Sequence, residues 1–399
     1  MNDTSKLRKK GLNIYSIHST KGGVGKTSLA LVIACIEKLK RDRKALILDG
    51  DLTGTSIDDI FGEVGKETKK IWLNDFLLAN PTEHLSFIKR VKSSRTSKKL
   101  LSIEKFYKNK DEEFFSYIPS SSSYEKVKEI VPLVMQEDDL GFFTSRIEDL
   151  LYSLHSTDFD SVIIDTHPGF YGFSKAMFKM LLDIKLYKYH QEVHREKMDK
   201  NTLYKKDCEP PRLLELLYGS LKNQIDDINI TSFFVVTSES ADFLSAFPTL
   251  AEVMFECLEE SAKEEDEKMD IFKEIVIDKR KPFHLLINKA VPMGDLEDPN
   301  PSEITHNMYS KLVKLNEKKR NKRLDIITEY FHNLFKKGGS RVGRFVNGFN
   351  IENIPNLILG ALPKEIKETK EKYEPPEKWI QDIAVTTGLL EKQSDGTFV

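Results

Sequence analysis

At 399 residues, 39% hydrophobic and 10% aromatic, the chain can bury one enlarged core or two modest ones, which argues for a globular protein. Its 61 basic and 63 acidic side chains leave a formal charge of −2, so no net field draws it to nucleic acid or anionic lipid, and any such contact needs a local patch. Three scattered cysteines, Cys35, Cys208 and Cys257, argue against a zinc site, an iron–sulfur cluster held within one chain and a secreted disulfide framework, and fit a reducing cytoplasm.

Met1 to Lys10 is polar and basic, with no apolar run behind it long enough for a signal peptide. Leu12–Ile17 then has the apolar, β-branched character of a buried strand, and Ser19–Gly25 is a glycine-rich turn. Thr27–Lys40 carries Leu29, Ile33, Ile36 and Leu39 on one side, as an amphipathic helix does. Further short apolar runs follow at Ala45–Leu48, Phe114–Ile118, Ser161–Ile164, Ser232–Val236, Phe283–Ile287 and Asn356–Leu362, and Phe143–His155 repeats the helical pattern through Ile147, Leu150, Leu151 and Leu154.

Continuous apolar strands alternating with amphipathic helices predict an α/β fold, a doubly wound and mainly parallel sheet flanked by helices, with ligands beyond the carboxyl ends of the strands. Three charge-rich segments, at about 80–113, 182–227 and 293–343, exceed what such a core needs and are expected as helical or loop insertions rather than strands. Residues 370–399, with Trp379, Ile380, Ile383, Leu389 and Leu390, are expected as a final helix on one enlarged domain spanning 1–399. No stretch reaches about 18 consecutive apolar residues, so a soluble, cytoplasmic protein without a transmembrane segment is expected.

Lys21-Gly22-Gly23-Val24-Gly25-Lys26-Thr27-Ser28 lies between a strand and a helix, the context a phosphate-binding loop requires. Glycines let backbone amides converge on phosphates, the helix N-terminus adds partial positive charge, Lys26 neutralises the β/γ oxygens, and the Thr27 hydroxyl can meet magnesium. Two carboxylate-bearing strand ends follow. In Asp49-Gly50-Asp51-Leu52-Thr53, Asp51 is the candidate to orient a water on the terminal phosphate and to hold magnesium's water shell, and Asp49 to bind a magnesium water or fix the loop. In Ser161-Val162-Ile163-Ile164-Asp165-Thr166-His167-Pro168-Gly169, Asp165 is the candidate to support magnesium through water, and Gly169 to let the backbone approach the γ-phosphate.

The phosphate loop resembles the deviant Walker A motif of the ParA, MinD, arsenite-pump and tail-anchored-protein-targeting ATPases, and the two carboxylate segments resemble that family's switches. The resemblance implies ATP and Mg²⁺ as cofactors. It also implies a homodimer formed on ATP binding, in which Lys21 reaches the partner's nucleotide, and slow hydrolysis stimulated by a protein activator or cargo. Asn288 and Pro363 resemble the residues that meet the adenine edge and cover its ring. The family usually places two prolines where this chain has His167 and Pro168, and His167 is expected as a spacer or surface imidazole.

Eleven basic residues between Lys311 and Arg344 resemble the patch by which partitioning members bind DNA non-specifically, while the C-terminal end lacks the basic amphipathic helix with which MinD proteins hold membranes. A client-delivery or adaptor ATPase, and an ATP-dependent ligase or kinase on the same scaffold, are the alternatives. Cargo, partner and the role of the insertions stay open.

Overall fold

A computed structural model describes residues 11–53, 57, 72–79, 103–107, 113–121, 123–135, 142–155, 157–198, 228–237 and 284–288, with isolated positions between 245 and 314. Within them run β1 (Leu12–His18), α1 (Lys26–Arg41), β2 (Ala45–Gly50), α2 (Leu73–Leu78), β3 (Glu104–Tyr107), β4 (Glu113–Ile118), α3 (Tyr124–Val134), α4 (Phe142–His155), β5 (Ser161–Thr166), α5 (Gly172–Met198), β6 (Ile228–Thr237) and β7 (His284–Asn288). The strands form one sheet in the order β3-β4-β2-β5-β1-β6-β7, parallel throughout except for the antiparallel β3–β4 pair at one edge.

Strand alternation divides the core into two layers. Tyr15, Ile17, Ala45, Ile47, Phe115, Tyr117, Ile163 and Phe233 pack with the apolar face of α1 on one side of the sheet. Ile14, Leu46, Leu48, Ile118, Val162 and Ile164 face the other side, where α2, α3, α4 and α5 supply Phe76, Val134, Phe143, Leu150, Phe173 and Met177. A sheet buried on both faces needs unbroken apolar strands, and β2 and β5 are buried at every position. The doubly wound architecture expected from the sequence is the one present.

At the amino-terminal edge of the sheet the fold carries a buried charge. The Glu37 carboxylate on α1 accepts hydrogen bonds from Tyr15 Oη on β1 at 2.9 Å and from Arg41 at 2.6 Å, and also from Ser161 Oγ at the start of β5. Arg43 joins at 3.4 Å. The network ties one helix to both central strands far from the glycine-rich turn, and burial together with the adjacent carboxylate pushes the Tyr15 phenol well above its usual range.

Two expectations about the charged segments need correction. Glu104–Tyr107, inside the 80–113 segment, is a strand, pairing Glu104 with Tyr117 and Phe106 with Phe115. Its charged Glu-Lys opening hides a strand because an edge strand needs apolar side chains on only one face. The segment from 182 is also not all additional to the core: α5 continues to Met198, and Leu182 and Ile184 are buried. The rest of 182–227, nearly all of 293–343 and the tail 370–399 lie outside the described residues. Among the described residues, no helix is long and apolar enough to cross a membrane.

Candidate nucleotide-binding site

The sheet order sets β5 between β1 and β2, so the segments following these three strands converge. Asp49 on β2 and Ile17 on β1 are both in register with Asp165 on β5. From β1 the chain passes through a turn in which Gly23 (φ 70°) and Gly25 (φ 97°) adopt left-handed backbone that only glycine takes without strain. Gly25 caps α1 without any side-chain hydrogen bond, and the first turn of α1 contains no acidic residue. The helix N-terminus is therefore left to an external anion.

Lys21, Gly22 and Gly23 are exposed, Val24 and Lys26 are buried, and Gly25 and Thr27 are half-buried. The side chain of Ser28 lies outside the described residues. Ser19 Oγ donates to the carbonyl of Lys21 at 2.8 Å and fixes the start of the turn. Lys26, 7% exposed, is surrounded by acid: burial lowers its pKa, while Asp165 and Asp51 oppose that shift.

The three carboxylates differ in their surroundings. Asp49 is fully buried and accepts the backbone amides of Ile57 at 2.8 Å, Asp51 at 3.3 Å and Ser120 at 3.4 Å, so it binds the post-β2 loop to the end of β4. Asp51 is less enclosed and, among the described residues, accepts the amide and hydroxyl of Thr53, each at 3.3 Å; burial raises its pKa and Lys26 pulls it back. Asp165 is buried with neither carboxylate oxygen in hydrogen-bonding geometry. Burial pushes its pKa up to about 7, Lys26 and the nearby Thr27 hydroxyl hold it down, and Asp49 and Asp51 raise it further. One buried lysine against three carboxylates leaves excess negative charge, and the two orphaned oxygens of Asp165 suit a hard cation that keeps part of its water shell. Among the described residues no group of three or more His, Cys, Asp or Glu side chains could hold a metal ion.

The turn after β5 lies against the phosphate loop. A methyl group built on Gly22 would touch Pro168 at 3.5 Å. Gly169 has φ 97°, and a β-carbon there would fall 2.1 Å from the Tyr171 ring. Close packing under Tyr171 therefore already requires glycine at this position. His167 is not a surface imidazole: it is fully buried beside the Tyr171 ring, because the turn folds back over it. Asn288 ends β7 with its side chain outside the described residues, and Pro363 lies outside them altogether.

The structure adds residues that sequence reasoning did not single out. His18, the last residue of β1, accepts or donates through Nδ1 to Ser174 Oγ at 3.1 Å; Ser174 bonds Thr166 Oγ1 at 3.0 Å, and Thr166 donates to the Ile17 carbonyl at 2.7 Å. This chain joins the base of the phosphate loop, the end of β5 and the first turn of α5. Ser120 Oγ donates to the Asp51 carbonyl at 3.1 Å and joins β4 to the same site. The only cue in the sequence was small polar residues at strand ends.

Burial, with His167 and Lys26 nearby, lowers the pKa of His18 to about 3. Its folded value thus lies below its unfolded one, so its contribution to stability is complete above about pH 6.5 and is lost as pH falls toward 3. Exchanging His18 for Gln is expected to flatten the fall in thermal midpoint between pH 6.5 and 4 relative to the unaltered protein, as followed by circular dichroism.

Residues 11–111 match a family described as ParA, NUBPL iron-transfer P-loop NTPase. The segment that carries the glycine-rich turn is thus similar to that P-loop NTPase family. The ParA match covers the phosphate loop and the first carboxylate pair, while Asp165, Gly169 and Asn288 lie beyond it. No curated protein matches the chain. Similar solved structures include ParA of pNOB8 bound to nonspecific DNA, at 12% identity over 95% of this chain and 99% of that one, TM-score 0.37. The cell-division protein MinD of Aquifex aeolicus is 13% identical over 94% of this chain and 95% of its own, TM-score 0.35. MinD of Pyrococcus horikoshii OT3 complexed with Mg-ADP is 15% identical over 65% of this chain and 77% of its own, TM-score 0.31. At these values the likeness says nothing of what this chain binds or moves.

Proposed function

We propose that the chain is a cytoplasmic, ATP-dependent switch that closes into a homodimer over ATP and Mg²⁺, hydrolyses ATP slowly, and uses the cycle to position or assemble a protein or DNA cargo. The observation that carries this reading is the convergence of one buried lysine and three carboxylates behind a glycine-rich turn whose helix N-terminus is uncapped. Such a site binds a phosphate chain with a divalent cation.

In this reading the amides of Gly22 to Thr27 and the Lys26 ammonium hold the phosphates, while Thr27 and Asp165 hold magnesium, Asp165 through water. Magnesium, when bound, offsets charge on the phosphate oxygens. Asp51 orients the attacking water, being less buried than Asp165 and holding fewer backbone amides than Asp49. Asp49, with three amides on its oxygens, keeps the first switch in place. Asn288 and Pro363 take the adenine. Lys21, exposed at the start of the turn, reaches a nucleotide held by the partner copy.

Replacing Asp51 with Ala should leave ATP binding intact and stop turnover, so that protein incubated with Mg-ATP and quenched carries bound ATP where the unaltered protein carries ADP. Bound nucleotide resolved by ion-exchange chromatography decides this, and bound ADP in the variant would remove Asp51 from the role. Turnover that rises with protein concentration supports the switch. Turnover that rises with a small metabolite supports a ligase or kinase instead. Contact with DNA through Lys311–Arg344 is part of the same proposal and predicts binding that weakens steeply with salt.

A further inference from the structure

His167 lies at a position where an imidazole brings a standing cost. Its side chain is fully buried, and neither Nδ1 nor Nε2 has a hydrogen-bond partner. The Tyr171 backbone approaches the ring without hydrogen-bonding geometry, and the Tyr171 ring covers it with centroids 5.2 Å apart. A neutral imidazole always retains one N–H donor and one bare acceptor, and burying either unpaired is destabilising. An apolar residue of similar size would avoid that penalty. By contrast, the nearby buried His18 has Ser174 on Nδ1.

The surroundings point to what completes the ring. His167 directly follows the Asp165-Thr166 strand end, and its neighbour Pro168 lies 3.5 Å from where a β-carbon on Gly22 of the phosphate loop would sit. His167 therefore stands beside the strand end that bears Asp165, in a turn that meets the phosphate loop and whose Gly169 and Gly172 adopt left-handed backbone. A phosphate oxygen is the acceptor chemistry missing from the ring's surroundings.

We propose that His167 donates a ring N–H to an oxygen of the terminal phosphate of a bound nucleoside triphosphate, drawing the 167–171 turn onto the phosphate loop and separating the triphosphate from the diphosphate state. This rests on the nucleotide-binding reading above. A diphosphate lacks the acceptor and leaves the ring unpaired, so His167 adds affinity for one nucleotide and none for the other.

The test is calorimetric titration of the full chain, of His167→Leu and of His167→Gln with a non-hydrolysable ATP analogue and with ADP, each with Mg²⁺. Loss of a hydrogen bond to a charged acceptor is expected to weaken analogue binding by His167→Leu about tenfold or more, with ADP affinity unchanged and partial recovery in His167→Gln. Equal weakening for both nucleotides, or no weakening, overturns the proposal. Should His167→Leu fail to fold, ¹⁵N-histidine spectra of the unaltered protein decide. A ring resonance absent from His167→Gln must move with the analogue and stay in place with ADP, and identical spectra with both overturn the assignment. If the unaltered protein binds neither nucleotide, the nucleotide reading itself fails; if it binds both and the variants match it, only the role of His167 does.

Discussion

Lys21→Ala is expected to bind Mg-ATP with nearly unchanged affinity and to hydrolyse it about 10³-fold more slowly or worse, the effect of removing a cation supplied in trans to a phosphoryl transfer. The reason is positional. Lys26 is buried behind the phosphate loop among Asp51 and Asp165, where it can serve the nucleotide of its own chain. Lys21 is exposed at the start of the same turn, on a surface open to a second copy. A residue that acts only across an interface contributes to the transition state and little to ground-state binding, so turnover falls while the dissociation constant holds. Steady-state phosphate release with equilibrium nucleotide binding separates the two quantities. Full turnover in Lys21→Ala would contradict the cross-dimer mechanism.

The second large effect concerns stability. Glu37→Ala is expected to lower the free energy of unfolding by about 3 kcal/mol, because removing one partner of a buried ion pair leaves the others uncompensated. Tyr15 and Ser161 lose their acceptor in a region closed to water, and Arg41 loses its carboxylate partner. The estimate sits at the low end of the usual range because Arg41 and Arg43 keep 23% and 30% side-chain exposure, so water recovers part of their charge. Glu37→Gln retains an acceptor for Tyr15 and should recover part of the loss. Urea denaturation at neutral pH would show a lowered midpoint with an unchanged slope. Nucleotide affinity should not change in either variant, since the network sits at the strand ends opposite the phosphate loop.

The interior of the sheet was legible because burial on both faces forces continuous apolar runs, and the predicted cores of β1, β2, β4, β5, β6 and β7 lie within or overlap the observed strands. The ends were less clear. β2 and β5 each run two residues past the expected limit, through Asp49-Gly50 and Asp165-Thr166, because ladder pairing with the neighbouring strand outweighs the polarity of these side chains. The edge strand β3 was missed for its charged residues, and the core segment of α5 was placed in an insertion although Ile184 is buried.

At the candidate site, residue types and spacing identified the phosphate loop and the carboxylates. They could not distinguish Asp49, saturated by backbone amides, from Asp165, whose oxygens are unpaired, since that depends on where Ile57 and Ser120 return in space. His167 was misplaced for the same reason. Burial of a polar residue in a turn is decided by the fold of its neighbours, here Tyr171 closing over the ring, and not by local composition.

In the proposed cycle nucleotide joins two copies of the chain. Multi-angle light scattering of the unaltered protein, saturated with Mg²⁺ and an uncleavable ATP analogue, should give twice the mass found with Mg-ADP or without nucleotide. A single-copy mass at saturating analogue would contradict it.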